Sequence, residues 1–144
     1  EVKNIGRAVS LKVDERIKAL LLVPENQLAT SKARKLLPET ISHQDAVLNS
    51  SRSALLVHAL AERPDLLFTA TGDLLHQKYR EPAMPKTIAL VEKLRGAGLA
   101  AVVSGAGPSV MVLYAGSEDE IDQVASLAPG FTAMKLAVAK AGVQ

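Results

Sequence analysis

The sequence contains no cysteine and no tryptophan, and these absences narrow the classes of protein to which it can belong. Without cysteine there is no disulfide framework, no thiol nucleophile and no thiolate metal site. Only Tyr79, Tyr114, Phe68 and Phe131 are aromatic, which is too few for a surface that stacks nucleic-acid bases. The core of the protein must therefore be aliphatic.

Long apolar runs and an excess of one charge are missing as well. No run approaches the roughly 20 apolar residues that a membrane-spanning helix needs, and no stretch resembles a signal peptide. The formal net charge is only +2, and the basic residues are scattered instead of forming a stripe. We therefore expect neither a membrane partner nor a nucleic-acid partner, and the lack of cysteine agrees with a cytoplasmic protein.

The 144 residues, 48% of them hydrophobic, are enough for one domain with a sizeable core. The patterns predict strands at 17–23, 99–103, 110–114 and 131–139. Between the first two strands they predict helices at 30–38, 42–62, 64–77 and 85–95, and a helix capped by Ser117 follows the third. This order predicts an α+β fold, ferredoxin-like βαββαβ, with extra helices in the first crossover.

One strand pattern stands outside that order. Between residues 7 and 13, Val9, Leu11 and Val13 alternate with polar residues, which is typical of a strand. We interpret residues 1–16 as a strand and linker that pair with something outside the chain, and residues 17–144 as the domain.

The histidines do not indicate a metal site, because no two of them have the spacing of metal ligands. On the helix predicted at 42–62, Val47, Ala54 and Leu55 form the apolar face, and we interpret His58 as packed or half-buried. The chain has no Gly-Lys-Ser or Gly-Lys-Thr string and no Ser-His-Asp arrangement, so no catalytic residue is assigned.

A glycine-rich stretch joins two of the predicted strands, and it reads Ser104, Gly105, Ala106, Gly107, Pro108, Ser109. Its glycines can adopt positive φ and turn backbone amides toward an anion, while its serines add hydroxyl donors. A plain hairpin loop explains the same six residues equally well, because short glycine-rich strings are weak motifs.

Three polar residues are further candidates for binding. Asn49 and Arg52 share a helix face, and Arg80 lies in a predicted loop at 79–85 that two prolines stiffen. An arginine fork suits a carboxylate or a phosphate, so the set fits an anionic ligand such as an amino acid with a phosphate. A solvated helix face and an ordinary surface arginine are the alternatives.

Residues 98–112, which contain Ser-Gly-Ala-Gly-Pro-Ser, resemble the third signature motif of the GHMP small-molecule kinases. Within that superfamily the chain most resembles the homoserine kinases. The narrower resemblance rests on residues 28–38 (Leu-Ala-Thr-Ser-Lys-Ala-Arg-Lys-Leu-Leu-Pro), 45–52 (Asp-Ala-Val-Leu-Asn-Ser-Ser-Arg) and 79–81 (Tyr-Arg-Glu). It runs from about residue 7 to the end of the chain.

The resemblance implies transfer of the γ-phosphate of MgATP to the hydroxyl of L-homoserine, which gives O-phospho-L-homoserine for threonine biosynthesis. It implies that Arg52 and Arg80 bind the substrate carboxylate, with Asn49 beside them, and that the 104–109 loop closes over the phosphates. The family's Gly-Leu-Gly-Ser-Ser motif and metal-binding carboxylate belong to an N-terminal domain and do not occur here. We therefore expect ATP and Mg²⁺ to be bound mainly by that domain. By the same resemblance, residues 1–16 are a strand and linker left over from it, and residues 17–144 are the C-terminal domain. We expect the isolated chain to fold without activity and with a conformationally free 104–109 loop.

Two other functions stay open at this stage. The chain could belong to another GHMP kinase that acts on mevalonate or a sugar. It could also be a non-catalytic module that senses an amino acid, as ACT-type regulatory domains do. A face left exposed by a missing domain would favour a homodimer, so monomer and homodimer both stay open.

Overall fold

The computed structural model describes residues 11–26 and 28–139, in which four strands form one antiparallel sheet. The strands are β1 (Lys18–Pro24), β2 (Ala100–Val103), β3 (Val110–Tyr114) and β4 (Phe131–Ala137). Their order in the sheet is β2-β3-β1-β4, and each neighbouring pair is antiparallel. The β1 strand is therefore central, with Leu20 opposite Val112 on one side and Lys135 on the other.

Six helices accompany the sheet in the described part of the chain. They are α1 (Thr30–Arg34), α2 (His43–Ala61), α3 (Leu67–Ala70), α4 (Gln77–Arg80), α5 (Pro85–Gly96) and α6 (Glu118–Ser126). Short 3-10 turns at Pro64–Leu66 and Glu81–Ala83 precede α3 and follow α4. The first five helices lie in the crossover between β1 and β2, so the predicted α+β, βαββαβ fold with extra helices is confirmed.

The main core lies between one face of the sheet and the two helices α5 and α6. Leu20, Leu22, Leu94, Val112 and Ile121 are all at most 2% exposed there. Because side chains alternate along a strand, the neighbouring residues face the opposite side of the sheet. A second cluster forms on that side with α2 and α3, and it contains Ile17, Ala59, Leu67, Ala70 and Ala100.

Helix α2 is much less covered than its apolar pattern predicts. Ser42 caps it as expected, yet only Ala59 of its 19 residues is fully buried. Val47, which was expected on the buried face, is 52% exposed. The His58 side chain is 50% exposed, with Nδ1 3.8 Å from a Glu62 carboxylate oxygen, so of the two predicted alternatives it is half-buried and not packed. The physical reason is that little of the described chain lies over the outer side of this helix.

Two further boundaries differ from the expectation. Ala29, and not Thr30, holds the N-cap position of α1, without a side-chain hydrogen bond, and the helix ends at Arg34 instead of residue 38. Residues 7–10 of the strand predicted at 7–13 lie outside the described residues, and residues 11–13 form no strand.

The capping box of α6 gives a first prediction. The Ser117 hydroxyl accepts the Glu120 N–H at 3.2 Å, and the Glu120 carboxylate accepts the Ser117 N–H at 2.9 Å. Ser117→Ala leaves an amide of the first turn without its acceptor, so the free energy of unfolding is expected to fall by about 1 kcal/mol. Urea unfolding of the chain measures it. Ser126→Ala, at the other end of the helix, is the matched control, and an equal loss there would contradict the capping role.

Candidate functional site

The site is organised around a turn between α3 and α4, where one continuous helix was predicted at 64–77. The Thr71 hydroxyl donates to the carbonyl four residues earlier at 2.7 Å. The Asp73 carboxylate accepts the N–H groups of His76 at 2.9 Å and Gln77 at 2.6 Å. Such local side-chain bonds compete with helix continuation. The predicted helix is therefore broken, and α4 begins anew at Gln77.

Asp73 is a partly buried carboxylate that anchors the start of α4. Burial raises its pKa, but the hydrogen bond from the Gln77 N–H and those from the ring and N–H of His76 together outweigh that effect. The pKa of Asp73 therefore lies below its ordinary value of 3.8. The Nδ1 atom of His76 lies 2.8 Å from Oδ1 of the same carboxylate.

The lowered pKa of Asp73 predicts that acid destabilises the turn between α3 and α4. The Asp73 carboxylate binds a proton more weakly in the folded state than in the unfolded chain. The ionised carboxylate therefore stabilises the fold above pH about 4. This stabilisation is lost as the pH falls through the folded-state pKa. Asp73→Asn is expected to flatten the fall in unfolding free energy below pH about 4, as measured by urea unfolding across pH. The exposed Asp119→Asn serves as control. An unchanged pH slope in Asp73→Asn would contradict the prediction.

Helix α4 carries Arg80, which was predicted to lie in a loop at 79–85 and is instead helical and 7% exposed. Its Nη1 donates to the Gly105 carbonyl at 2.9 Å, while its buried Nε has no hydrogen-bond partner. Within the described residues no carboxylate forms an ion pair with it. A buried guanidinium is stable only when its charge and donors are matched, so this one is suited to receive an anion.

The 104–109 loop, which was expected to be a conformationally free tip, forms hydrogen bonds with its neighbours. The Ser104 N–H donates to the Ser109 carbonyl at 2.8 Å, which closes the loop between β2 and β3. The Thr87 hydroxyl, at the start of α5, donates to the Pro108 carbonyl at 2.8 Å. Arg80 of α4 donates to the Gly105 carbonyl, so the loop is hydrogen-bonded to both α4 and α5.

The glycines of this loop adopt the backbone that was predicted for them. Gly105 has φ +59° and Gly107 has φ +85°. Among the described residues the N–H groups of Gly105 and Ala106 have no protein acceptor. The loop is a hairpin connection and also presents unpaired amides, which can bind an anion.

Asn49 and Arg52 share a face of α2, as predicted, and both meet the turn between α3 and α4. The Asn49 Oδ1 accepts the Leu74 N–H at 3.0 Å, so Asn49 holds this turn. The Arg52 guanidinium fills the space beside Gly72, where an added Cβ would lie 2.9 Å from Arg52 Cζ.

The two arginines predicted to bind one carboxylate line neighbouring cavities. Arg80 lines a cavity of about 250 Å³ together with His76 and the glycine loop. Arg52 lines another of about 270 Å³. Asp73 and Gln77 belong to both and form the wall between them. Joint contact of the two arginines with one substrate stays a prediction.

Three residues of this region were not found from the sequence. Asp73 had a signal, since Thr-Gly-Asp at 71–73 is typical of a break followed by a new helix start. Gln77, whose Oε1 accepts the Val103 N–H at 2.7 Å, had none. Arg95, which joins α5 to this turn, had none either.

The described residues contain no group of three or more histidine, cysteine, aspartate or glutamate side chains that could hold a metal ion. In the same part of the chain, no helix combines the length and apolarity needed to cross a bilayer.

The part of the sequence that forms this fold and site matches a known protein family. The model for the C-terminal part of the GHMP kinases matches residues 51–128, which is more than half of the chain. The matched stretch runs from α2 through the α3–α4 turn and the 104–109 loop to α6. The chain therefore belongs to the GHMP kinase family.

Homoserine kinases are among its relatives in that family. The chain is 50% identical to the homoserine kinase of Streptomyces coelicolor over 85% of its own length and 39% of that enzyme. It is 54% identical to the homoserine kinase of Rhodococcus opacus over 76% of its length and 35% of that enzyme. The chain thus spans less than half the length of these relatives.

A solved structure shares the fold. The homoserine kinase of Cytophaga hutchinsonii superposes with a TM-score of 0.81, at 22% identity, over 90% of this chain and 44% of that one.

Proposed function

We propose that the chain is the substrate-side, C-terminal part of a homoserine kinase. The complete enzyme transfers the γ-phosphate of ATP to the hydroxyl of L-homoserine and yields O-phospho-L-homoserine, for threonine biosynthesis in the cytoplasm. The relatives support this substrate, and one structural observation carries the assignment. Arg80 is buried with an unsatisfied Nε and no carboxylate partner within the described residues, beside a glycine loop with unpaired amides.

The amino-acid end of the substrate is assigned to the arginines. Arg80 offers its guanidinium, with the unpartnered Nε, to the carboxylate, and charge-assisted bonds of this kind offset the desolvation of a buried guanidinium. Arg52 adds a second positive charge across the wall formed by Asp73 and Gln77. Asn49 holds the turn on which both arginines depend.

The phosphate end is assigned to the 104–109 loop. Because Arg80 donates to the Gly105 carbonyl, the carboxylate site and the loop are joined by one hydrogen bond. Phosphoryl transfer depends mainly on positioning and on stabilisation of charge, so the loop contributes amides and shape, and no base is assigned. The described residues contain no cluster of three or more ligating side chains, and we assign Mg²⁺ and most ATP contacts to the part of the relatives that this chain does not match.

A coupled assay of ADP release tests the proposal. The full-length kinase that carries this chain is expected to turn over with L-homoserine and not with mevalonate or galactose, and the 144-residue chain alone is expected to give no turnover. Mevalonate- or galactose-dependent turnover would assign another GHMP activity. Binding of homoserine without any turnover by the full-length protein would favour the regulatory module.

A further inference from the structure

Arg95 joins three elements from the last turn of α5. Its Nη2 donates to the Phe68 carbonyl at 2.7 Å, and its Nη1 donates to the Thr71 hydroxyl and the Ala101 carbonyl, each at 3.2 Å. Its Cζ also lies 4.4 Å from the centre of the Phe68 ring, in a cation–π contact. One guanidinium therefore fastens the end of α3 to α5 and to β2.

This arginine is placed close to another cation. Burial lowers the pKa of Arg95, and the positive charge of Arg52 lowers it further. Arg95 forms no ion pair with a carboxylate in the part of the chain that the structure describes. Hydrogen bonds to neutral acceptors therefore hold Arg95, and its charge adds to the positive potential around Arg52.

The turn that Arg95 fastens is the surface against which Arg52 packs. Gly72 follows Thr71 directly, and a Cβ on Gly72 would lie 2.9 Å from Cζ and Nη1 of Arg52 and 3.1 Å from its Nε. No side chain separates the guanidinium from this backbone, so a shift of the turn moves Arg52. Asp73, the next residue, anchors the helix that carries Arg80.

We propose that Arg95 is a positioning residue of the amino-acid site: by binding Phe68 and Thr71 it sets the backbone of Gly72, and Gly72 sets the guanidinium of Arg52. Arg95 does not contact the substrate. This inference rests on the proposed function for the identity of the substrate, L-homoserine.

The test compares two basic residues in the last turn of α5 in the full-length kinase. Arg95→Met removes the fork and keeps most of the stem, and it is expected to raise KM for L-homoserine about tenfold through misplacement of Arg52. The kcat and the KM for ATP are expected to stay within about twofold. Lys93→Met is the matched control, because Lys93 donates to the Leu127 carbonyl at 2.9 Å and does not reach the turn.

A double-variant cycle separates positioning from general support of the fold. If Arg95 acts through Arg52, Arg95→Met adds no further rise in KM when Arg52→Ala is already present. Gly72→Ala is expected to raise the KM for homoserine as well. Arg95→Lys keeps the charge but lacks the fork. These two variants replace Arg95→Met in the measurement if Arg95→Met does not fold.

Two outcomes would overturn the inference: an unchanged KM for homoserine in these variants, or the same rise in KM with and without Arg52. If the unmodified kinase fails to phosphorylate homoserine, the proposed function itself is wrong, and that result is visible before any variant is compared.

Discussion

Arg80→Ala in the full-length kinase is expected to lower kcat/KM for L-homoserine by about thirtyfold to a few thousandfold. Loss of one partner from a buried, hydrogen-bonded charge pair costs about 2–5 kcal/mol, and each 1.4 kcal/mol corresponds to about tenfold. Arg80 is 7% exposed, and water compensates such a site poorly. Steady-state kinetics at varied homoserine measure the loss, which is expected mainly in KM, with the KM for ATP unchanged.

Two further variants separate this role from a structural one. Arg63→Ala removes an exposed arginine whose Nη2 lies 2.7 Å from Asp65, and it is expected to leave the kinetics unchanged. Arg80→Met keeps the side-chain stem but removes a buried charge whose Nε lacks a partner, so Tm is expected to stay the same or to rise. A large fall in Tm of Arg80→Met, together with an unchanged KM for homoserine, would show that Arg80 holds the fold and not the substrate.

Much of the fold followed from local patterns. Ser42 and Ser117 were identified as caps because their hydroxyls bond to amides only three residues away. The strands on either side of the 104–109 loop were found because their apolar runs are bounded by glycine and proline. The exposure of α2 was not predicted. An apolar helix face indicates that the face packs against something, but it does not show whether the partner belongs to the described chain.

Only part of the candidate site could be predicted from the sequence, and the reason is physical. Arginines and glycines were recognised as residue types that suit an anion. The structure places Arg80 against Gly105 and Arg52 against Gly72. Their arrangement depends on bonds between residues far apart in sequence, such as Arg80 to Gly105 and Arg95 to Thr71. Such contacts leave no periodicity in the sequence. Burial of Arg80 was equally invisible, since it needs α4, α5 and the loop together.

Gly107→Ala is expected to lower the free energy of unfolding of the chain by about 2–4 kcal/mol, since backbone strain and a steric clash act together. The residue has φ +85°, where an L side chain is strained. An added Cβ would lie 2.6 Å from Sδ of Met84 and 3.0 Å from Cγ1 of Val103. Met84 is 4% exposed and packs with Ala33 and Ile88, so its thioether has little room to move. Urea unfolding with a constant m-value measures the loss.

Gly98→Ala supplies a control for the backbone contribution alone. Gly98 has φ +82°, nearly the value at Gly107, but an added Cβ there meets nothing within 4 Å. Its loss is expected to be about 1 kcal/mol, and the excess at Gly107 then measures the contact with Met84 and Val103. In a Met84→Ala background that excess is expected to shrink, because most of the clash is removed. Equal losses at the two glycines would mean that Met84 moves aside freely, and that α5 and its preceding turn do not hold the 104–109 loop as tightly as the hydrogen bond from Thr87 indicates.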